Sequence, residues 1–127
     1  MSQARASVAG ECADGILTVT LQVDQIRDPD ESYAVRDQTI ALIDQTQPTH
    51  LVLDFSQVRF MGSIGMLALL GIRRRLTGGR IVLCQLSDVL RQMLTVCRLI
   101  SNDADSAAPF EIESTPATAT ARLRQSG

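Results

Sequence analysis

The chain has 127 residues, 45% apolar and 20% charged, with 12 basic and 14 acidic side chains and a formal charge of −2. That length supplies one hydrophobic core but not two, and the apolar share excludes an intrinsically disordered chain. No basic surplus is available to neutralise phosphates, which argues against nucleic acid as a partner.

The opening residues Met1 to Arg5 lack the apolar run of a signal peptide, and no segment reaches the roughly 18 apolar residues of a membrane helix, so a cytoplasmic protein without membrane insertion is expected. Ile16 to Val23 is rich in β-branched residues and follows Asp14-Gly15, a hairpin-turn dipeptide; this predicts a strand, with Ala6 to Glu11 as its antiparallel partner. Asp28-Pro29-Asp30-Glu31 reads as a helix start, with Asp28 as N-cap and Pro29 in the first turn. The helix should run to about Thr46, ahead of Pro48, and bury Tyr33, Val35, Ile40, Leu42 and Ile43.

Leu51 to Phe55 is a short, almost continuous apolar run, the pattern of a central strand covered on both faces. After a loop through Phe60-Met61-Gly62, residues Ser63 to Leu76 read as a helix, with Ser63 as N-cap and Arg73, Arg74 and Arg75 at the negative end of its dipole. Gly78-Gly79 ends it, and Arg80 to Cys84 forms the next buried strand, parallel to the first. Ser87-Asp88 opens a further helix whose Val89, Leu90, Met93, Leu94 and Cys97 should form one stripe facing the sheet. Ser101 to Pro109 has loop composition, Phe110 to Ile112 a short strand, and Thr115-Pro116 the start of a last helix carrying Ala117, Ala119, Ala121 and Leu123. The whole chain, 1–127, is expected to form one domain with its core over about 8–123.

The chemistry-bearing residues are sparse. Cys12, Cys84 and Cys97 are odd in number, show no CxxC spacing, and share the chain with a single histidine, His50; neither a zinc site nor a disulfide framework follows. Cys84 and Cys97 read as small buried hydrophobes. Gly62-x-x-Gly65 and Gly78-Gly79 lack the Lys-Ser/Thr of a phosphate loop, and the carboxylates are scattered rather than paired. No catalytic residue, metal or cofactor is expected, and an enzyme is disfavoured against a binding module.

Residues Asp54 to Met66, Asp-Phe-Ser-Gln-Val-Arg-Phe-Met-Gly-Ser-Ile-Gly-Met, resemble the D-L-S-x-V-x-F-M-D-S-S-G-L signature of STAS domains, and the elements on either side follow that family's order from about Val8 to Leu123. The resemblance implies an α/β fold: a mixed sheet of four or five strands with about four helices packed mainly on one side. It is strongest to the bacterial anti-sigma-factor antagonists, in which a serine of the D-S-S-G segment is phosphorylated by a partner that is both anti-sigma factor and serine kinase.

Ser63 aligns with the first serine of that segment and is the phosphorylation candidate, whereas the second serine is Ile64 here and the motif aspartate is Gly62. The implied partner surface comprises Asp54, Ser56, Gly62, Ser63, Ile64, Gly65, Met66 and, on the next helix, Ser87. The family also contains phosphorylation-independent scaffolds and accessory subunits of signalling or transporter assemblies, a second expectation that the changes at Gly62 and Ile64 keep open. A helix-capping role for Ser63 is compatible with either.

Overall fold

The computed structural model describes residues 7–100 and 108–125. Strands β1 (Val8–Ala13) and β2 (Ile16–Leu21) form the expected antiparallel hairpin. Asp14 and Gly15 both take positive φ, 55° and 77°, the backbone sense that matches a two-residue turn to strand twist. The chain continues through β3 (Gln25–Ile26) into α1 (Pro29–Thr46), where Asp28 Oδ1 accepts a 2.7 Å bond from the Glu31 amide and so caps the helix as anticipated. Gln47 stops it in a left-handed conformation just before Pro48.

The remaining elements are β4 (His50–Asp54), β5 (Phe60–Met61), α2 (Ser63–Arg75), β6 (Ile81–Cys84), α3 (Asp88–Val96), β7 (Glu111–Glu113) and α4 (Pro116–Gln125). The main sheet runs β1-β2-β4-β6-β7, antiparallel only at the β1-β2 pair, which is the mixed five-stranded arrangement expected. A second, two-stranded parallel sheet pairs β3 with β5. Two residues per strand carry no periodicity, so this pair left no trace in the sequence pattern.

The continuous apolar runs of β4 and β6 follow from cover on both faces. Leu51, Leu53, Ile81 and Leu83 pack in one cluster with Val35 and Ile43 of α1, Leu69 and Ile72 of α2, and Leu90 and Leu94 of α3. Val52, Val82 and Cys84 point the other way and meet Ala119 and Leu123 of α4. Three helices thus share one face and α4 covers the other, with Thr115 capping α4 through a 3.1 Å bond from the Thr118 amide.

Three expected core assignments are corrected. Tyr33 is 47% exposed, its ring lying 4.7 Å from the Arg36 guanidinium carbon. The inward face of α1 instead carries Ser32, Val35, Thr39 and Ile43, with Ile40 and Leu42 half-buried beside it. Those positions follow the helical repeat better than Tyr33 does, and Ser32 and Thr39 are completely buried, with no hydrogen-bond partner for either hydroxyl. On α3 only Leu90 and Leu94 are buried; Val89 and Cys97 are exposed, because nine residues present one narrow stripe to the sheet and Cys97 lies past the last turn. Cys84 is buried as expected, and burial pushes its thiol up to about 12.

The remaining charged and titratable residues have structural tasks. Arg80 grips Glu111 through two bonds of 2.7 and 2.6 Å, and this holds the Glu111 carboxyl below the usual carboxylate range against the opposing effect of burial. His50 Nδ1 accepts the Arg80 amide at 3.0 Å, which makes it a satisfied histidine with its proton on Nε2. Arg75 pairs with Asp44 across α1 and α2. Most of the Ser101–Pro109 segment lies outside the described residues.

Candidate functional site

The motif segment leaves β4 at Asp54 and reaches α2 at Ser63 by a path pinned at both ends. Asp54 is only 8% exposed, and its Oδ1 accepts the Ser56 amide at 2.9 Å, closing a turn of the kind aspartate forms with the backbone two residues on. The Phe55 amide bonds to the Cys84 carbonyl at 3.0 Å, and Val58 turns back onto Phe55. At the far end the Arg59 amide donates to Asp24 O, Gly62 N donates to Ile26 O at 2.9 Å, and β5 lies against β3. The small sheet therefore sets where α2 begins.

Gly62, not Ser63, is the N-cap of α2, with extended backbone at φ −92° and ψ −176°. This corrects the capping role expected of Ser63, which occupies the first helical position. A helix leaves its first amides without intrahelical partners, and Gly62 has no side chain to receive them. The Ser63 side chain makes no capping bond and is exposed. Nearby, the Arg27 guanidinium carbon sits 5.7 Å from the Phe60 ring centroid, and Arg27 Cα and Cβ lie nearest to where a side chain at Gly62 would point. Ser63 thus stands at an uncapped helix start, which favours negative charge.

Gly65 is buried because nothing larger fits: a Cβ there would lie 2.5 Å from Ile26 O and 2.7 Å from Met61 Cγ. Gly62 is different. A Cβ at that position would meet Arg27 atoms at 3.5 and 3.6 Å, ordinary contact distances, and its φ suits any residue. Restoring the motif aspartate with Gly62→Asp should therefore be tolerated and should cap α2. We expect a gain of about 0.5 kcal/mol, seen as a thermal midpoint raised by roughly 2 °C; a lowered midpoint would show that the site has no room for the side chain.

Beyond Ser63 the surface becomes apolar. Met66 joins Gln92, Met93, Val96 and Cys97 in lining an open groove of about 380 Å³ between α2 and α3. Leu67 is 64% exposed, Val89 55% and Val96 80%, an unusual amount of bare aliphatic side chain for so small a chain. Ser63 stands one helical turn before Met66 and Leu67, so the hydroxyl and this apolar patch share one side of α2.

Of the residues expected to form the partner surface, Ser56 and Ser63 are exposed, while Gly62, Ile64 and Met66 are half-buried. Ser87 caps α3 through a 3.2 Å bond from the Leu90 amide and is exposed as well. Asp54 and Gly65 lie beneath the surface and shape it. Sequence reasoning did not single out Val96, Leu67 or Gln92. Its available signal was that the apolar arc of α3, from Val89 through Val96 to Cys97, is wider than one sheet-facing stripe requires.

The architecture recurs in solved anti-sigma-factor antagonists. The chain resembles one from Mycobacterium paratuberculosis at a TM-score of 0.73 and 23% identity, with 92% of each chain covered. It also resembles the Bacillus cell-fate determinant SpoIIAA in its phosphorylated form, at 0.66 and 21% over 92% of this chain and 99% of that one. A serine-to-glutamate variant of RsbS from Moorella thermoacetica gives 0.69 and 16%, covering 93% and 95%. No curated protein sequence matches. The model of the STAS domain matches residues 11–117, and the chain belongs to the STAS-domain family. Among the described residues, no helix is long and apolar enough to cross a membrane.

Proposed function

We propose that this protein is a cytoplasmic anti-sigma-factor antagonist that binds an anti-sigma factor with serine-kinase activity and is released from it by phosphorylation at Ser63. The observation that carries the reading is the placement of an exposed serine, without a capping task, at the first position of α2 and beside an apolar groove. Bare aliphatic surface at the groove favours a protein partner over catalysis. A phosphoryl group on Ser63 would add nearly two negative charges and three oxygens. The uncapped amides at the start of α2 would accommodate that charge, so the domain would stay folded. The cost would fall on a partner fitted to a hydroxyl and an apolar surface, which would have to desolvate the new charge.

The test is a binding comparison of wild type, Ser63→Ala and Ser63→Asp as baits in the source extract, followed by titration of the purified kinase-type anti-sigma factor. Wild type and Ser63→Ala should bind it alike and Ser63→Asp at least about tenfold more weakly, equivalent to about 1.4 kcal/mol. Equal binding by all three would overturn the switch. Equal recovery of a multiprotein assembly without such a kinase would favour the phosphorylation-independent scaffold or accessory subunit, a reading that Ile64 in place of the second motif serine supports.

A further inference from the structure

The two halves of the proposed surface come from different parts of the chain: the loop from β4 to α2 brings Ser63, and the turn from β6 to α3 brings the far wall of the groove. We infer that Asp54 and Gln85 form a strap that positions these two segments against each other, and that the spacing of Ser63 from the α3 wall is set there. This role for the pair rests on the functional reading above only in the meaning given to that spacing; the strap itself is a matter of geometry.

The same oxygen, Asp54 Oδ1, accepts the Ser56 amide at 2.9 Å and Gln85 Nε2 at 3.1 Å. One bond holds the loop that leads to Ser63. The other holds the turn that leads to Ser87 and α3. The two residues sit at the ends of adjacent parallel strands, since Asp54 is in register with Cys84, the residue before Gln85. A carboxylate is acceptor-only, so the side-chain nitrogen of Gln85 must be the atom that faces it.

The backbone at Gln85 supplies the second indication. Its φ is +57°, a left-handed conformation that costs a residue with a Cβ about 1 kcal/mol and that glycine adopts freely. For a turn alone, glycine would be the better residue. A glutamine there gains something glycine cannot offer, and the bond to Asp54 is the polar contact its side chain makes. Neither residue needs to touch a partner for this: Asp54 is nearly buried, and both are positioning residues.

The strap predicts that stability and loop order separate on substitution. Gln85→Gly should leave the thermal midpoint unchanged or raise it, because the left-handed backbone is relieved. In the same protein, amide hydrogen exchange of Ser56 and Val58, some 30 residues away in sequence, should accelerate roughly threefold to tenfold, as expected for the loss of one hydrogen bond. The amides of Leu53 and Val82 in the central strands should not change. Asp54→Ala should accelerate the same loop amides and those of Leu90 and Arg91 at the start of α3, whereas Asp54→Asn, which keeps an acceptor oxygen in place, should restore most of the protection. Unchanged exchange at Ser56 and Val58 in Gln85→Gly would overturn the proposal, as would equal acceleration in the central strands, which would mark general destabilisation. The readout needs no partner, so failure of the strap and failure of the proposed antagonist role are seen in separate experiments.

Discussion

Gly65→Ala should be among the most damaging single-methyl substitutions in this protein, with an expected loss of about 3 kcal/mol and a thermal midpoint lowered by roughly 10 °C. The added carbon would lie 2.5 Å from the Ile26 carbonyl oxygen and 2.7 Å from Met61 Cγ. Met61 could yield by changing rotamer, but it is completely buried and has little space to enter. The Ile26 carbonyl cannot yield cheaply, since it also accepts the Gly62 amide. The methyl must therefore push α2 away from β3 and loosen the contact that fixes where the helix begins. Alanine is otherwise the better helix former, by about 1 kcal/mol, so propensity alone predicts the opposite sign. Thermal unfolding decides between them. A midpoint equal to or above wild type would mean that α2 can lift from β3 without cost and that the small sheet does not position Ser63.

That glycine also shows where sequence reasoning succeeded and where it stopped. The Gly-Ser-Ile-Gly segment was recognisable as a motif, and the strands, helices and their order followed from apolar runs, caps and turn residues such as Asp28-Pro29 and Asp14-Gly15. The reason for Gly65 was not recoverable, because it depends on Ile26, a residue 39 positions earlier in a strand of two residues. Ser63 was misread for a related reason. Serine is a preferred N-cap, and only the course of the loop, set by Gly62 bonding to Ile26, reveals that the helix starts one residue earlier than its cap preference suggests.

The reading of α3 failed differently. Periodicity identifies an amphipathic helix but assigns Val89, Leu90, Met93, Leu94 and Cys97 together to the sheet, since nothing in a periodic pattern says how wide a stripe the neighbours can cover. Leu90 and Leu94 reach the core, Met93, Val96 and Cys97 line the groove, and Val89 is exposed. Exposed apolar surface and core packing draw on the same residue types, and here they occupy adjoining positions of one nine-residue helix.

Leu94→Ala follows from that division and should cost about 3 kcal/mol. Leu94 is completely buried, and with Leu90 it is one of only two buried side chains that anchor α3. The helix is too short to persist on its own, as isolated helices of this length are marginal in water, so its order depends on that burial and on the Ser87 cap. Loss of half the anchor should thus do more than lower the midpoint. It should raise amide exchange across Arg91 to Cys97 beyond that of the central strands and, if the groove seats the proposed partner, weaken that binding through disorder of the groove wall. Val96→Ala, by contrast, removes a side chain that is 80% exposed and should change stability by less than about 0.5 kcal/mol. If the groove is the partner's seat, Val96→Ala should weaken binding with the fold intact. Wild-type affinity in both variants, measured alongside their unfolding midpoints, would remove α3 from the interface and leave the loop around Ser63 as the contact.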